Sequence, residues 1–161
     1  MVKRAGLLTF SFLLLPALNS AQSKCPQGFV YAGTLSGTGS IVEGFNQKVV
    51  LKLPDNATLD DSFQQNKVRS TSAKGKANLR PEDIPKGILI IPQGSNDAEK
   101  HWSVNEPQLA ASKGEDENGI PSTRYEFGMR LSCGVHGSPY NQQGGDCNVA
   151  VEVCYKPKSD K

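Results

Sequence analysis

The residues best suited to chemistry are four cysteines and two histidines. Cys133-Gly134-Val135-His136 leaves the two-residue gap that suits zinc, and Cys147 and Cys154 offer two further thiolates. The second pair lacks the close spacing of a zinc knuckle. In an oxidising compartment disulfide formation competes for all of these thiols, so no metal and no other cofactor is expected. A serine triad would draw its base from His101 or His136, yet no Gly-x-Ser-x-Gly elbow accompanies them. The adjacent acids Asp60-Asp61 and Glu115-Asp116-Glu117 sit in polar, glycine-flanked stretches and read as solvated loop charges. A loose calcium site at Glu115 to Asn118 would lack the EF-hand spacing. The glycines between Gly33 and Gly44 do not form a phosphate cradle: the third dinucleotide glycine and the Lys-Ser/Thr of a P-loop are both missing. Asn56-Ala57-Thr58 is an N-glycosylation triplet, meaningful in a eukaryotic secretory route.

The first residues set the compartment. Lys3 and Arg4 are followed by an apolar stretch from Ala5 to Leu18 and by the small residues of Asn19 to Ser23. The apolar stretch is shorter than the roughly 20 residues a bilayer span takes. Residues 1–23 therefore read as a cleavable signal peptide, and residues 24–161 as a single secreted or periplasmic domain with no membrane span. The chain has 18 Lys+Arg against 16 Asp+Glu; the leader takes Lys3 and Arg4 and no acid, so the mature domain is neutral. Neutrality gives no reason to expect nucleic acid or an anionic membrane as partner. One stretch is basic: Lys67, Arg69, Lys74, Lys76 and Arg80 lie between Ser62 and Pro81 with no acid among them. No aromatic side chain is interleaved, so a stacking platform for single-stranded nucleic acid is missing and the 67–80 segment reads as a solvated loop.

The elements that position the cysteines are strands. Tyr125, Phe127, Met129, Leu131, Cys133 and Val135 alternate with Arg124, Glu126, Arg130 and Ser132. Cys147, Val149, Val151, Val153 and Tyr155 alternate with Asn148, Glu152, Cys154 and Lys156. Both are period-two patterns. The glycine- and proline-containing segment between them reads as a loop, so the two runs are expected to form a long-looped antiparallel hairpin. Cys147 to Cys154 along one strand spans about 23 Å, whereas a disulfide needs Cα atoms within about 7 Å. Those two cannot bond. Cys133–Cys147 would close the loop, worth about 3 kcal/mol by chain entropy, and Cys25 is left for Cys154.

Further strands are expected at Phe29 to Leu35, at Lys48 to Leu53 and at His101 to Val104. Ile88 to Ile91, apolar throughout, is expected in the middle of the core. Gly37 to Ser40 reads as a tight turn. Asn105 is read as capping a short helix to Ala111, and Thr58 another through Asp60 to Gln65. The whole is an all-β, antiparallel β-sandwich with one or two short helical turns and two disulfides, and an immunoglobulin-like arrangement is the first expectation. The polar stretch from Asp55 to Pro85 fits this poorly, being longer than loops in compact domains usually are.

The tail Cys147-Asn148…Val153-Cys154-Tyr155-Lys156-Pro157 resembles the end of the N-terminal domain of periplasmic thiol–disulfide reductases. That domain is an immunoglobulin-like sandwich with two nearby redox cysteines followed by Tyr-Pro-Pro. The cysteine spacing differs here, and Lys156 stands at the first proline. The resemblance implies thiol–disulfide exchange by Cys147 and Cys154. The residues themselves favour a non-catalytic exported module that binds a protein, glycan or cell-surface component; a secreted inhibitor or immunity-type protein is a further alternative. Its expected contact loop is 136–146, where His136, Tyr140, Asn141, Gln142 and Gln143 supply polar groups on a base held by a bridge.

Overall fold

A computed structural model describes residues 25–40, 44–66, 76–77, 79–94, 101–134 and 146–159. The strands are β1 (Val30–Ser40), β2 (Phe45–Lys52), β3 (Lys76–Ala77), β4 (Ile88–Gly94), β5 (His101–Glu115), β6 (Pro121–Gly134) and β7 (Asp146–Tyr155). They form two sheets, ordered β1-β7-β4 and β2-β6-β5-β3. All pairings are antiparallel except that of the two-residue β3 with β5.

The period-two runs occupy the two central strands. Phe127, Met129 and Leu131 of β6 are buried, as are Val149, Val151 and Val153 of β7. Leu35, Ile88, Ile90 and Val104 from the flanking strands join the same core. The expected hairpin is a correction: β6 and β7 do not pair with each other but lie in opposite sheets. Two strands with equally apolar inner faces bury more by facing each other across a core than by lying side by side. The connectivity also departs from the immunoglobulin arrangement, whose first two strands share a sheet; here β1 and β2 are in different sheets.

Cys133 is bonded to Cys147, with Cα atoms 6.2 Å apart, and Cys25 to Cys154 at 5.9 Å. The first bridge therefore joins the central strand of one sheet to the central strand of the other. Cys154 lies on the outer face of β7, which is why its partner comes from the N-terminal segment outside the core.

Several local readings give way to tertiary packing. Gly37 and Gly39 are not in a turn but inside β1, opposite Val149 and Cys147. They are glycines because Phe45 lies against them: a Cβ on Gly37 would come 2.8 Å from the Phe45 ring. Asn105 to Ala111 is not a helix but part of β5, with Leu109 opposite Phe127. The ladder shifts between Asn105 and Gln108, and Glu106 takes a φ of 51°, so a β-bulge absorbs the Glu-Pro pair that resembled a helix start. Thr58 to Gln65 is likewise not helical; turns there are fixed by Asp60, whose carboxylate accepts hydrogen bonds from the Ser62 hydroxyl and N–H. Among the described residues the one helical turn is the 3-10 segment Pro81–Asp83, where the Asp83 carboxylate accepts the Arg80 N–H at 2.8 Å.

Strand β4 puts Ile88 and Ile90 in the core, as its apolar run implied, and lies at a sheet edge. Its edge is closed locally. The Ile88 N–H donates to the Pro85 carbonyl and the Ile90 N–H to Oε1 of the buried Gln65. Pro92, next in that alternation, has no N–H to leave open.

Candidate functional site

An open cleft of about 1010 Å³ lies where the turn after β2, the Pro85-Lys86 turn and the β5–β6 hairpin converge. Its polar wall includes Asp55, Thr58, Lys86, Asp116, Arg124 and Lys158.

The segments that carry its lining residues are stitched main chain to main chain. After Leu53 donates to the Tyr125 carbonyl at 2.9 Å, a turn closes by Ala57 N–H to Pro54 O at 2.9 Å. Asp60 N–H then donates to Lys156 O at 2.8 Å, Lys156 N–H to Gly87 O at 2.8 Å, and Gly87 N–H to Phe63 O at 2.9 Å. Lys158 N–H reaches Thr58 O at 3.1 Å, beside the Leu59–Pro157 bridge. The C-terminal residues are thus bonded into the 58–63 and 87 backbone, which fixes the positions from which Thr58, Lys86 and Lys158 extend. Phe29 packs edge-on against Phe63 with ring centroids 5.1 Å apart, and the Lys156 ammonium lies over the Phe29 ring.

The opposite wall is the tip of the hairpin. Asp116 Oδ1 accepts the N–H groups of Asn118 and Ile120 at 2.8 and 2.9 Å, so the acid read as a loose calcium ligand instead closes the turn. Between the walls, Arg124 Nε stands 3.9 Å from Asp55 Oδ1. Both side chains are mostly exposed and the separation is long, so this pair adds little stability and is easily exchanged for a ligand.

The shifted titratable groups lie beside the cleft and outside its lining, and hydrogen bonding accounts for them. The Ser62 hydroxyl, then the Ser62 N–H, hold the Asp60 carboxyl below its ordinary pKa, with the Lys156 charge adding to this. Asp83 is lowered by the Arg80 N–H and guanidinium, and Arg80 is raised in return. The cleft itself is lined by both signs of charge, Asp55, Asp61, Asp116 and Glu117 together with Lys86, Arg124 and Lys158, which suits hydrogen-bonded capture of a polar ligand.

The residues named from sequence fall differently. His136, Tyr140, Asn141, Gln142 and Gln143 lie outside the described residues, although the bridge at the foot of their loop is described. Residues 1–23 also lie outside them, as do Lys67, Arg69 and Lys74. Of the basic segment, Arg80 is engaged by Glu82 and Asp83. Cys147 and Cys154 are each bonded to another cysteine and both are buried. Among the described residues no three His, Cys, Asp or Glu side chains are grouped to hold a metal ion. Sequence reasoning missed Lys86, Arg124 and Lys158. The available signal was the overlong Asp55 to Pro85 stretch, which supplies two of the cleft's edges. No protein-family model, curated protein or solved structure matches the chain.

Proposed function

We propose that the protein is an exported, non-catalytic binding domain that holds a polar ligand in the cleft between the Asp55–Thr58 turn, Lys86 and the β5–β6 hairpin. One observation carries this: the charged rim stands on backbone tied together by consecutive main-chain hydrogen bonds, so the scaffold that presents the recognition groups is set before any ligand arrives. Two disulfides fit an oxidising destination, where the partner would be a protein, glycan or cell-surface component. Cys133, Cys147 and Cys154 are buried and Cys25 is half-buried, which supports structural bridges over exchange. Among the described residues no helix is long and apolar enough to cross a membrane.

The test is a screen of the mature protein against immobilised oligosaccharide and peptide panels. A Lys86→Ala/Arg124→Ala variant with unchanged melting temperature should weaken any hit by about tenfold, as expected for charge-assisted hydrogen bonds. Equal binding by that variant would remove the cleft from the account. Loss of binding on deletion of Tyr140 to Gly144 alone would instead move the site to the 136–146 loop.

A further inference from the structure

The outer face of the β2-β6-β5 sheet carries a second arrangement that the cleft does not use. Its rows are set by the ladder: Asn46, Ser132 and Ser103 lie across one row, and Lys48, Arg130 and Asn105 across the next. These side chains are joined. The Ser103 and Ser132 hydroxyls share a hydrogen bond at 2.5 Å, and Asn105 Nδ2 donates to Ser103 Oγ at 3.0 Å. Arg130 Nη1 donates to Asn46 Oδ1 at 3.1 Å, and Arg130 Nε to Glu106 Oε2 at 3.1 Å. The guanidinium of the central strand is therefore held from both flanking strands.

Glu106 is held in a sparsely populated conformation. Its φ of 51° lies in the left-handed region, uncommon for a non-glycine residue, and the bulge there lets its carboxylate meet Arg130. Such local strain recurs at binding sites. A guanidinium has five N–H donors, so the Nη1–Nη2 edge retains donors for an acceptor from outside the fold. The exposed Lys48 is directly opposite Arg130 in the ladder, where like charges on one face repel. An incoming anion relieves that repulsion. Lys52 lies 3.9 Å from Glu126 and Arg124 3.9 Å from Asp55, so with Lys48 and Arg130 the face and its margin carry four cations against the three acids Glu106, Glu126 and Asp55.

We propose that this face binds an acidic polysaccharide, its carboxylate received by Arg130 and Lys48 and its hydroxyls by the amides and hydroxyls of Asn46, Ser103, Asn105 and Ser132. The main-chain groups of the central strand β6 are taken up by β2 and β5, so an extended acidic peptide would find backbone partners only along the outer edges of β2 and β5, away from Arg130 and Ser132. A polyhydroxylated ring needs side-chain donors and acceptors spread over a flat area, which these rows provide.

The experiment is calorimetric titration of the mature protein with oligogalacturonate at low and high sodium chloride. Binding should appear at low salt and weaken as salt rises. Lys48→Glu and Arg130→Gln should each reduce affinity about tenfold or more, while Lys86→Ala leaves it unchanged. Lys48 is exposed, so its variant keeps the test valid even where Arg130→Gln perturbs folding. The proposal is overturned by absence of binding, by full affinity in Lys48→Glu, or by equal binding of a neutral oligoglucan. Tighter binding of poly-L-glutamate would overturn it in favour of an acidic polypeptide.

Discussion

Asp60 illustrates how a side chain that reads as a solvated charge becomes a structural one. Its carboxylate accepts from the Ser62 hydroxyl at 2.5 Å and from the Ser62 N–H at 3.1 Å, and its own N–H is bonded to Lys156. The folded pKa is lowered, so the stabilisation is present above the ordinary value of 3.8 and is lost as pH falls through the lowered one. Asp60→Asn should lower the melting temperature at neutral pH, and the gap to wild type should close as pH drops below 3.8. Thermal melts across the acid range check this; a gap independent of pH would show that the ionised form plays no part. An Asp followed two residues later by Ser is a recognised local turn pattern, so this role was legible from the chain. Arg130 was legible only as a residue on the outer face of a strand. Its partners Asn46 and Glu106 come from strands far along the sequence, and the bulge that delivers Glu106 leaves no local mark beyond a Glu-Pro pair.

At the scale of elements, alternation revealed which faces are buried and did not reveal which strands pair. Phe127 to Cys133 and Cys147 to Tyr155 bury the faces that period two assigned. Their placement in opposite sheets depends on contacts between distant segments, and the glycine- and proline-containing connection suggested a long-looped hairpin instead. The glycines of β1 misled for a related reason. Gly33 sits at a register shift with φ +151°, and a Cβ there would come 2.8 Å from Leu51 Cδ1, so it admits a side chain of β2. Gly33→Ala is expected to cost about 1–3 kcal/mol, from backbone strain and overpacking together. Urea unfolding measures it, and a change within about 0.5 kcal/mol of wild type would mean that the bulge relaxes freely. The edge of β4 belongs to this scale too. Pro92 signals an edge position from sequence, but the burial of Ile88 and Ile90 drew attention to the core instead.

For the whole molecule, the all-β class, the two-layer packing and the presence of two bridges follow from strand phase and cysteine position. The cleft does not, because its walls come from turns that meet only after both sheets are assembled. The bridges act at different ranges: Cys133–Cys147 has a sequence separation of 14 and Cys25–Cys154 one of 129. In the chain-entropy model these are worth about 3 and about 5 kcal/mol. Cys25→Ala/Cys154→Ala should therefore shift the urea midpoint further than Cys133→Ala/Cys147→Ala, and the reverse order would show that packing around the inter-sheet bridge outweighs chain entropy. The inter-sheet bridge has one more consequence. It fixes the two ends of the intervening segment at 6.2 Å between Cα atoms in the folded chain. While the bond is intact it also holds them together when the chain unfolds. Lengthening that segment then adds nearly the same closure entropy to both states, and the difference between them hardly changes. As far as chain entropy goes, the stability of the sandwich is therefore indifferent to the number of residues between Cys133 and Cys147 for as long as the bond is intact, and becomes sensitive to it once the bond is reduced.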